Sequence, residues 1–381
     1  MAKHGIKASD ATGLIRISET AGWTLCVGAG TSMPVFPTWQ ELVQDLLTSG
    51  PPAVSGADAK KLRDSFPPEA LIRASQELLE LGDEDYRLHL TEALYRSIQS
   101  KASGLWPTVA KCLMARTPAH ALPSEWRRYL ALFSSSRTTA ADLASAVLDS
   151  KEAGCAPNAI LSFNAEPLFF SLINAQSVAR IRRQKGLPDA DDVVVGKGVV
   201  DRIEGSTSWS STGRIPYYFC HGFLPLIGPA PTATHGRRPP ATYDSKMVFS
   251  ESDYLNLANT VFSWQSSVFT RAAMSDRIVF VGLSLTDPNM RRWLAWIHSQ
   301  RLHEIQSMDP LIRDSTQHFW INVSSGSEPS DRWTEALVSH LGVRIVWVPD
   351  WKKAGETLGR MLSLPRPKGL PKPPPRRRHI R

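Results

Sequence analysis

Four short segments of the 381-residue chain carry residues suited to chemistry, and each directly follows an apolar run. Gly28-Ala29-Gly30-Thr31-Ser32 follows Trp23 to Val27. Glycines at a strand end let the backbone turn tightly and approach a ligand, and amides beyond them can cradle a phosphate. A dinucleotide or phosphate site is one reading, and a plain strand-to-helix turn is the other. The G-x-G-x-x-G fingerprint is incomplete, because Met33 stands at its third glycine and no acid ends a strand some 20 residues on. That weakens the case for a hydride-transferring dehydrogenase.

Asn164-Ala165-Glu166 follows Ala159 to Phe163 and offers an amide and a carboxylate; Asn164 also suits a turn or helix cap. Cys220-His221-Gly222 closes the run that starts at Ile215. A lone histidine is more often a core or surface residue than a catalyst, but one at a strand's carboxyl end beside a glycine is a better candidate than most. Gly282-Leu283-Ser284-Leu285-Thr286-Asp287-Pro288-Asn289 follows Ile278 to Val281. Gly282 and Ser284 could hold a ribose or phosphate oxygen. Asp287 before Pro288 reads first as an N-cap with proline at the first helical position.

These segments need a scaffold that brings strand ends together. Apolar runs at Trp23 to Val27, Ala159 to Phe163, Ile215 to Cys220, Met247 to Phe249, Ile278 to Val281, His318 to Val323 and Val343 to Val348 are mostly continuous, as in parallel strands covered on both faces. Helical patterns alternate with them at Trp39 to Leu47, Ser252 to Ala273, Pro288 to Ser299, Asp331 to Leu341 and Trp351 to Leu362. Pro37-Thr38-Trp39-Gln40-Glu41 has the form of a capping box. The expected fold class is α/β, a Rossmann-like doubly wound and mostly parallel sheet. Ligands of such sheets sit beyond the carboxyl ends of the strands, where all four segments fall.

Residues 1–364 read as one domain with a helical insertion at about 51–153, where only helical periodicity occurs. An irregular insertion, surface loop or lid, is expected at about 176–213. Residues 365–381 form a basic, proline-rich tail expected to be disordered. Seven of the basic residues behind the net charge of +8 lie in that tail with no acid, so the body is nearly neutral. The tail is either solubilising or a contact for nucleic acid or an acidic partner. Cys26, Cys112, Cys155 and Cys220 form no Cys-x-x-Cys pair, and the histidines form no ligand pattern, so no metal is expected. Without a secretory signal or an apolar span, the expected location is the reducing cytoplasm, with no membrane contact.

In order, Gly-Ala-Gly-x-Ser, Asn-x-acid, His-Gly and Gly-x-Ser-Leu-x-Asp-Pro-Asn resemble the sirtuin-like NAD-consuming domains of bacterial antiphage defence. The resemblance spans roughly Thr12 to Leu362 and includes Val248-Phe249-Ser250-Glu251-Ser252-Asp253-Tyr254. It implies NAD as substrate and cleavage of its nicotinamide–ribose bond, depleting NAD in abortive infection. Gly28, Ala29, Gly30, Thr31 and Ser32 would contact the pyrophosphate, and Gly282, Ser284 and Asp287 the adenosine side. Asn164 would position a water or the ribose near the anomeric carbon, with Glu166 beside the substrate. His221 would bind a ribose hydroxyl or act as general base. It further implies a homo-oligomer and a HerA-type hexameric ATPase as partner.

The family's Thr-x-Asn-x-Asp is here Ser162-Phe163-Asn164-Ala165-Glu166, with a longer acid. The two cysteine pairs of the deacetylases are absent, and Val35-Phe36-Pro37-Thr38-Trp39 replaces the Asp-Phe-Arg of their nicotinamide pocket. A zinc-dependent deacylase is therefore not expected. The alternative from another class is an inactive module that senses NAD or ADP-ribose and assembles with a nucleic-acid-binding partner. A nuclease has no compact acidic cluster to support it.

Overall fold

The structure is a computed structural model. It describes residues 5–15, 22–50, 52–135, 138–187, 198–206, 208, 210–226, 248–260, 263–312 and 315–364. The tail, 365–381, lies outside the described residues. Eight strands form a single sheet: β1 (Ile6–Lys7), β2 (Trp23–Val27), β3 (Ala159–Ser162), β4 (Val200–Ile203), β5 (Ile215–Phe219), β6 (Arg277–Val281), β7 (His318–Val323) and β8 (Val343–Val348). Their spatial order is β1-β8-β7-β6-β2-β3-β5-β4, and every pairing is parallel. The doubly wound α/β expectation holds.

The helices, in chain order, are α1 (Trp39–Ser49), α2 (Gly56–Ser65), α3 (Pro68–Leu78), α4 (Asp83–Lys101), α5 (Trp106–Met114), α6 (Pro123–Ser135), α7 (Thr139–Glu152), α8 (Leu168–Gln184), α9 (Glu251–Asn259), α10 (Trp264–Ser275), α11 (Pro288–Met308), α12 (Glu328–Ser339) and α13 (Ala354–Met361). Apolar side chains alternate between two cores, one on each face of the sheet. Leu25, Val27, Val279 and Val281 face the helices from α1 to α8 and α13. Cys26, Ile278 and Phe280 face α9 to α12. A strand buried on both faces must be apolar at every position, hence the unbroken runs.

Connections from β2 and β6 lead to opposite sides of the sheet: β2 is followed by β3 on one flank, β6 by β7 on the other. The crevice between their carboxyl ends is thus a topological switch point. Register aligns those ends, since Val27 pairs with both Val281 and Ser162, and Ser162 with Phe219. All four chemistry-bearing segments therefore leave the sheet at one level of one edge.

Differences from the expected elements have local causes. Residues 168–184, partly inside the segment read as irregular, are helix α8, and Val200–Ile203 is the edge strand β4. Its central Asp201 and Arg202 broke the apolar signal; an edge strand tolerates such charges, and Asp201 pairs with Arg214 at 2.7 Å. Residues 188–197 of that segment lie outside the described residues. Val248 and Phe249 are not a strand: after one hydrogen bond from Val248 N–H to the His221 carbonyl (3.1 Å), the capping box of Ser250 and Asp253 starts α9. Met247 lies outside the described residues. The pattern at 252–273 is two helices, the second capped by Ser263. Between β2 and β3 the described residues 56–152 hold α2 to α7 and no strand.

At the switch point the turns after β2 and β6 touch backbone to backbone. Gly28 N–H donates to the Val281 carbonyl (3.1 Å) and Gly30 N–H to the Gly282 carbonyl (2.9 Å). A Cβ on Gly282, whose φ is +67°, would lie 2.5 Å from the Thr31 nitrogen. Gly282→Ala should therefore destabilise the fold by about 1–3 kcal/mol through left-handed strain and steric conflict. Urea unfolding should show a lowered midpoint for this variant, and none for Gly56→Ala, where a Cβ meets nothing within 4 Å.

Candidate active site

The segment after β2 closes into a single 3-10 turn, Ala29–Ser32, and α1 begins only at Trp39. Pro34 and Pro37 fall between them and cannot donate backbone hydrogen bonds to a helix. Two of the amides expected to cradle phosphate are engaged internally: Gly30 N–H as above, and Thr31 N–H with the Gly28 carbonyl at 2.9 Å. Thr31 and Ser32 are fully buried. Their hydroxyls face the protein rather than solvent. Ala29 is half-buried and lines a narrow cleft with Phe36, Trp39, Leu94, Asn164 and Glu166.

Asn164, just past β3, is held by that turn. Its Nδ2 donates to Thr31 Oγ1 (3.3 Å), Ser32 Oγ (3.3 Å) and Glu166 Oε1 (3.1 Å). These contacts fix the amide so that Oδ1 is left over, buried and without a hydrogen-bond partner. Glu166 accepts from Ser32 Oγ at 2.5 Å and from Leu168 N–H at 2.5 Å, at the start of α8. It is the acid beside the cleft that the motif suggested, but its oxygens chiefly bind protein donors.

His221 follows β5. Its ring lies edge to face against Phe163 (centroids 4.7 Å apart) and Tyr254 of α9 (5.5 Å). Nε2 lies 3.4 Å from Asp287 Oδ2, and Nδ1 is buried without a partner. Asp287 caps α11 through Oδ1, which accepts from Asn289 N–H (2.8 Å) and Met290 N–H (3.2 Å). The capping role read from the sequence is thus present. Both of its carboxylate oxygens are turned to protein groups. Ser284 is exposed and shares a hydrogen bond with Thr286 (2.7 Å), which leaves it accessible to a ligand. Gly282 abuts Gly30 and Thr31.

Two buried carboxyls of this edge are driven in opposite directions. Burial pushes Glu166 up from 4.5 to about 7, against the pull of hydrogen bonds from Ser32, Leu168 and Asn164. Burial would raise Asp287 as well. The hydrogen bond and charge of His221, with the amides of Met290 and Asn289, outweigh it and hold the carboxyl below its ordinary value.

Sequence reasoning gave no role to the aromatic side chains around the site. Phe163 sat inside an apolar run, and Tyr254 inside a polar stretch, where nothing but the fold reveals what they touch. Trp39 meets Phe249 edge-on at 5.0 Å, and Tyr95 of α4 donates to the Leu224 carbonyl (2.8 Å), so the helices between β2 and β3 wall this edge. Among the described residues no group of three or more His, Cys, Asp or Glu side chains is placed to hold a metal, and no helix is long and apolar enough to cross a membrane.

The raised Glu166 has a thermodynamic signature. Below about pH 4.5 the carboxyl is protonated whether the chain is folded or unfolded. As pH rises towards about 7 the unfolded chain releases the proton before the folded one, so Glu166 costs stability across that window. Glu166→Gln cannot titrate. Its unfolding free energy relative to wild type should rise by about 3 kcal/mol between pH 4.5 and 7.5. Urea titrations at several pH values measure this; a constant difference would mean that Glu166 ionises freely.

Comparison with known families reaches the second half of this edge. Residues 196–340 match the family model described as SIR2-like domain, a stretch that holds His221 and the turn Gly282 to Asp287. It does not include Gly28 to Ser32, Asn164 or Glu166, which the sheet places alongside. No curated protein matches the chain. The family match supports a sirtuin-like domain within this Rossmann-like α/β fold.

Proposed function

We propose that the protein is an NAD glycohydrolase that cleaves the nicotinamide–ribose bond to give nicotinamide and ADP-ribose. The observation that carries this reading is a pair of buried polar atoms without hydrogen-bond partners, Asn164 Oδ1 and His221 Nδ1, just beyond the carboxyl ends of the adjacent strands β3 and β5. An unpaired buried polar atom costs free energy, which a ligand or a water that pairs it would recover. The SIR2-like match supports NAD-related chemistry at this edge.

The reaction asks little covalent work of the protein. The C1′–N bond breaks with its electron pair passing to nicotinamide, which neutralises the pyridinium. The oxygen of a water bonds C1′, and the proton that this water loses must be accepted. Asn164, clamped through Nδ2, presents Oδ1 to orient the water or a ribose hydroxyl, and His221 accepts the proton. Trp39, Phe36 and Leu94 exclude bulk solvent from the cleft beside Asn164. The exposed Ser284 hydroxyl and the turn at Gly282 are available to the nucleotide's far end.

We further propose that this activity serves antiviral abortive infection from the cytoplasm, in a homo-oligomer regulated by a HerA-type hexameric ATPase. The basic segment 365–381 is the contact proposed for nucleic acid or the partner. Support for this setting is the order of the motifs.

The deciding experiment is NAD turnover, with products separated by chromatography and identified by mass spectrometry, for the chain alone and with a candidate ATPase and DNA. Wild type should form nicotinamide and ADP-ribose. Asn164→Ala and His221→Ala should each lower kcat by about 10²–10⁴. Calorimetric binding of NAD without turnover under every condition would replace the hydrolase by the sensing module.

A further inference from the structure

His221 is held from three elements at once. Phe163 beyond β3 and Tyr254 of α9 meet its ring edge to face, and the Asp287 carboxylate at the start of α11 meets Nε2. The backbone is pinned as well: the His221 carbonyl accepts from Val248 N–H at 3.1 Å, and Gly222 turns the chain at φ +72°. Asp287 is no freer, because its Oδ1 takes two amides of the first turn of α11. The side chains of His221 and Asp287 are only 4% and 15% exposed.

A neutral imidazole carries one N–H, and a fixed acceptor at one nitrogen decides which nitrogen that is. The Asp287 charge is felt by two further titratable groups, Cys26 and Tyr254. Burial raises both, so both stay neutral near pH 7. Asp287 is the anion facing the imidazole at Nε2, and Nδ1 is buried without a hydrogen-bond partner.

We infer that Asp287 is a positioning residue: its carboxylate holds the Nε2–H tautomer of His221, and thereby leaves the Nδ1 lone pair as the one that takes the proton from the attacking water or ribose hydroxyl. This rests on the hydrolase reading for its chemistry, though not for its geometry. As the oxygen–C1′ bond forms and nicotinamide leaves with its electron pair, the proton moves to Nδ1. The resulting imidazolium is then stabilised by Asp287 at its opposite nitrogen. The same carboxylate caps α11, so the helix sets where the imidazole sits.

Asp287→Asn separates the two duties, since asparagine caps a helix about as well as aspartate but carries no charge. Long-range ¹H–¹⁵N NMR of the full chain with labelled histidines, His221 being assigned by its loss in His221→Gln, should show the Nε2–H tautomer in wild type. In Asp287→Asn the Nδ1–H form should appear in a chain that still folds, with the helix cap kept by the asparagine. In NAD turnover the same variant should lose about 10²–10⁴ in kcat with KM altered less than about threefold. Asp287→Ser, a cap without an amide that could rebond Nε2, should behave alike. An Nδ1–H tautomer in wild type, or an unchanged tautomer in both variants, would overturn the inference. If wild type turns over no NAD, the hydrolase reading falls while the NMR comparison still decides the role of Asp287.

Discussion

The backbone contact between the turns after β2 and β6 governs the rest of the site. Gly28 and Gly30 lie against Gly282 so closely that a Cβ on Gly28 would come within 2.6 Å of the Gly282 carbonyl oxygen. Two neighbouring strands whose connections diverge would ordinarily leave an open crevice between their ends. Here glycine lets the two turns close on each other, the amides of Gly28 and Gly30 donating to the carbonyls of Val281 and Gly282. The 3-10 turn is thereby fixed, Thr31 and Ser32 point inward, and they in turn fix the amide of Asn164. The glycines that look made for a phosphate thus build, first of all, a rigid wall.

On that wall two carboxyls serve different ends through different surroundings. Glu166 is surrounded by neutral donors and is hard to ionise; Asp287 has a histidine and two helix amides and is easy to ionise. Environments that push two acids apart give one fold two protonation states at a single pH. Glu166 ties Asn164 to the start of α8, and Asp287 ties His221 to the start of α11. Each polar side chain with a spare acceptor is therefore anchored to the beginning of a helix. Such anchoring suits a reaction that depends on orientation more than on covalent chemistry.

The helices between β2 and β3 supply what the sheet edge lacks. A carboxyl edge alone is open to water, and α1 and α4 set Trp39, Leu42 and Leu94 along the cleft beside Asn164. Trp39 continues across to Phe249, just before α9. The wall is thus shared between the helices that follow β2 and a segment from the second half of the chain.

The sequence by itself determined the fold class and the segments that matter. Strands buried on both faces must be apolar throughout, so β2, β3 and β5 to β8 are legible as runs, and residues that end such runs must lie at one edge. It did not reveal β4, whose Asp201 and Arg202 look like loop until Arg214 and the neighbouring strand pair them, nor β1, only two residues long. Asn164, Glu166 and His221 stood out by position, but which atoms they keep free did not, because partners such as Ser32 and Asp287 lie more than 60 residues away along the chain. Asp287 shows the limit most clearly: a local pattern identifies a helix cap, since a cap bonds the next few amides. Its bond to His221 exists only because β5 and β6, separated by β3 and β2, end at the same level of one sheet.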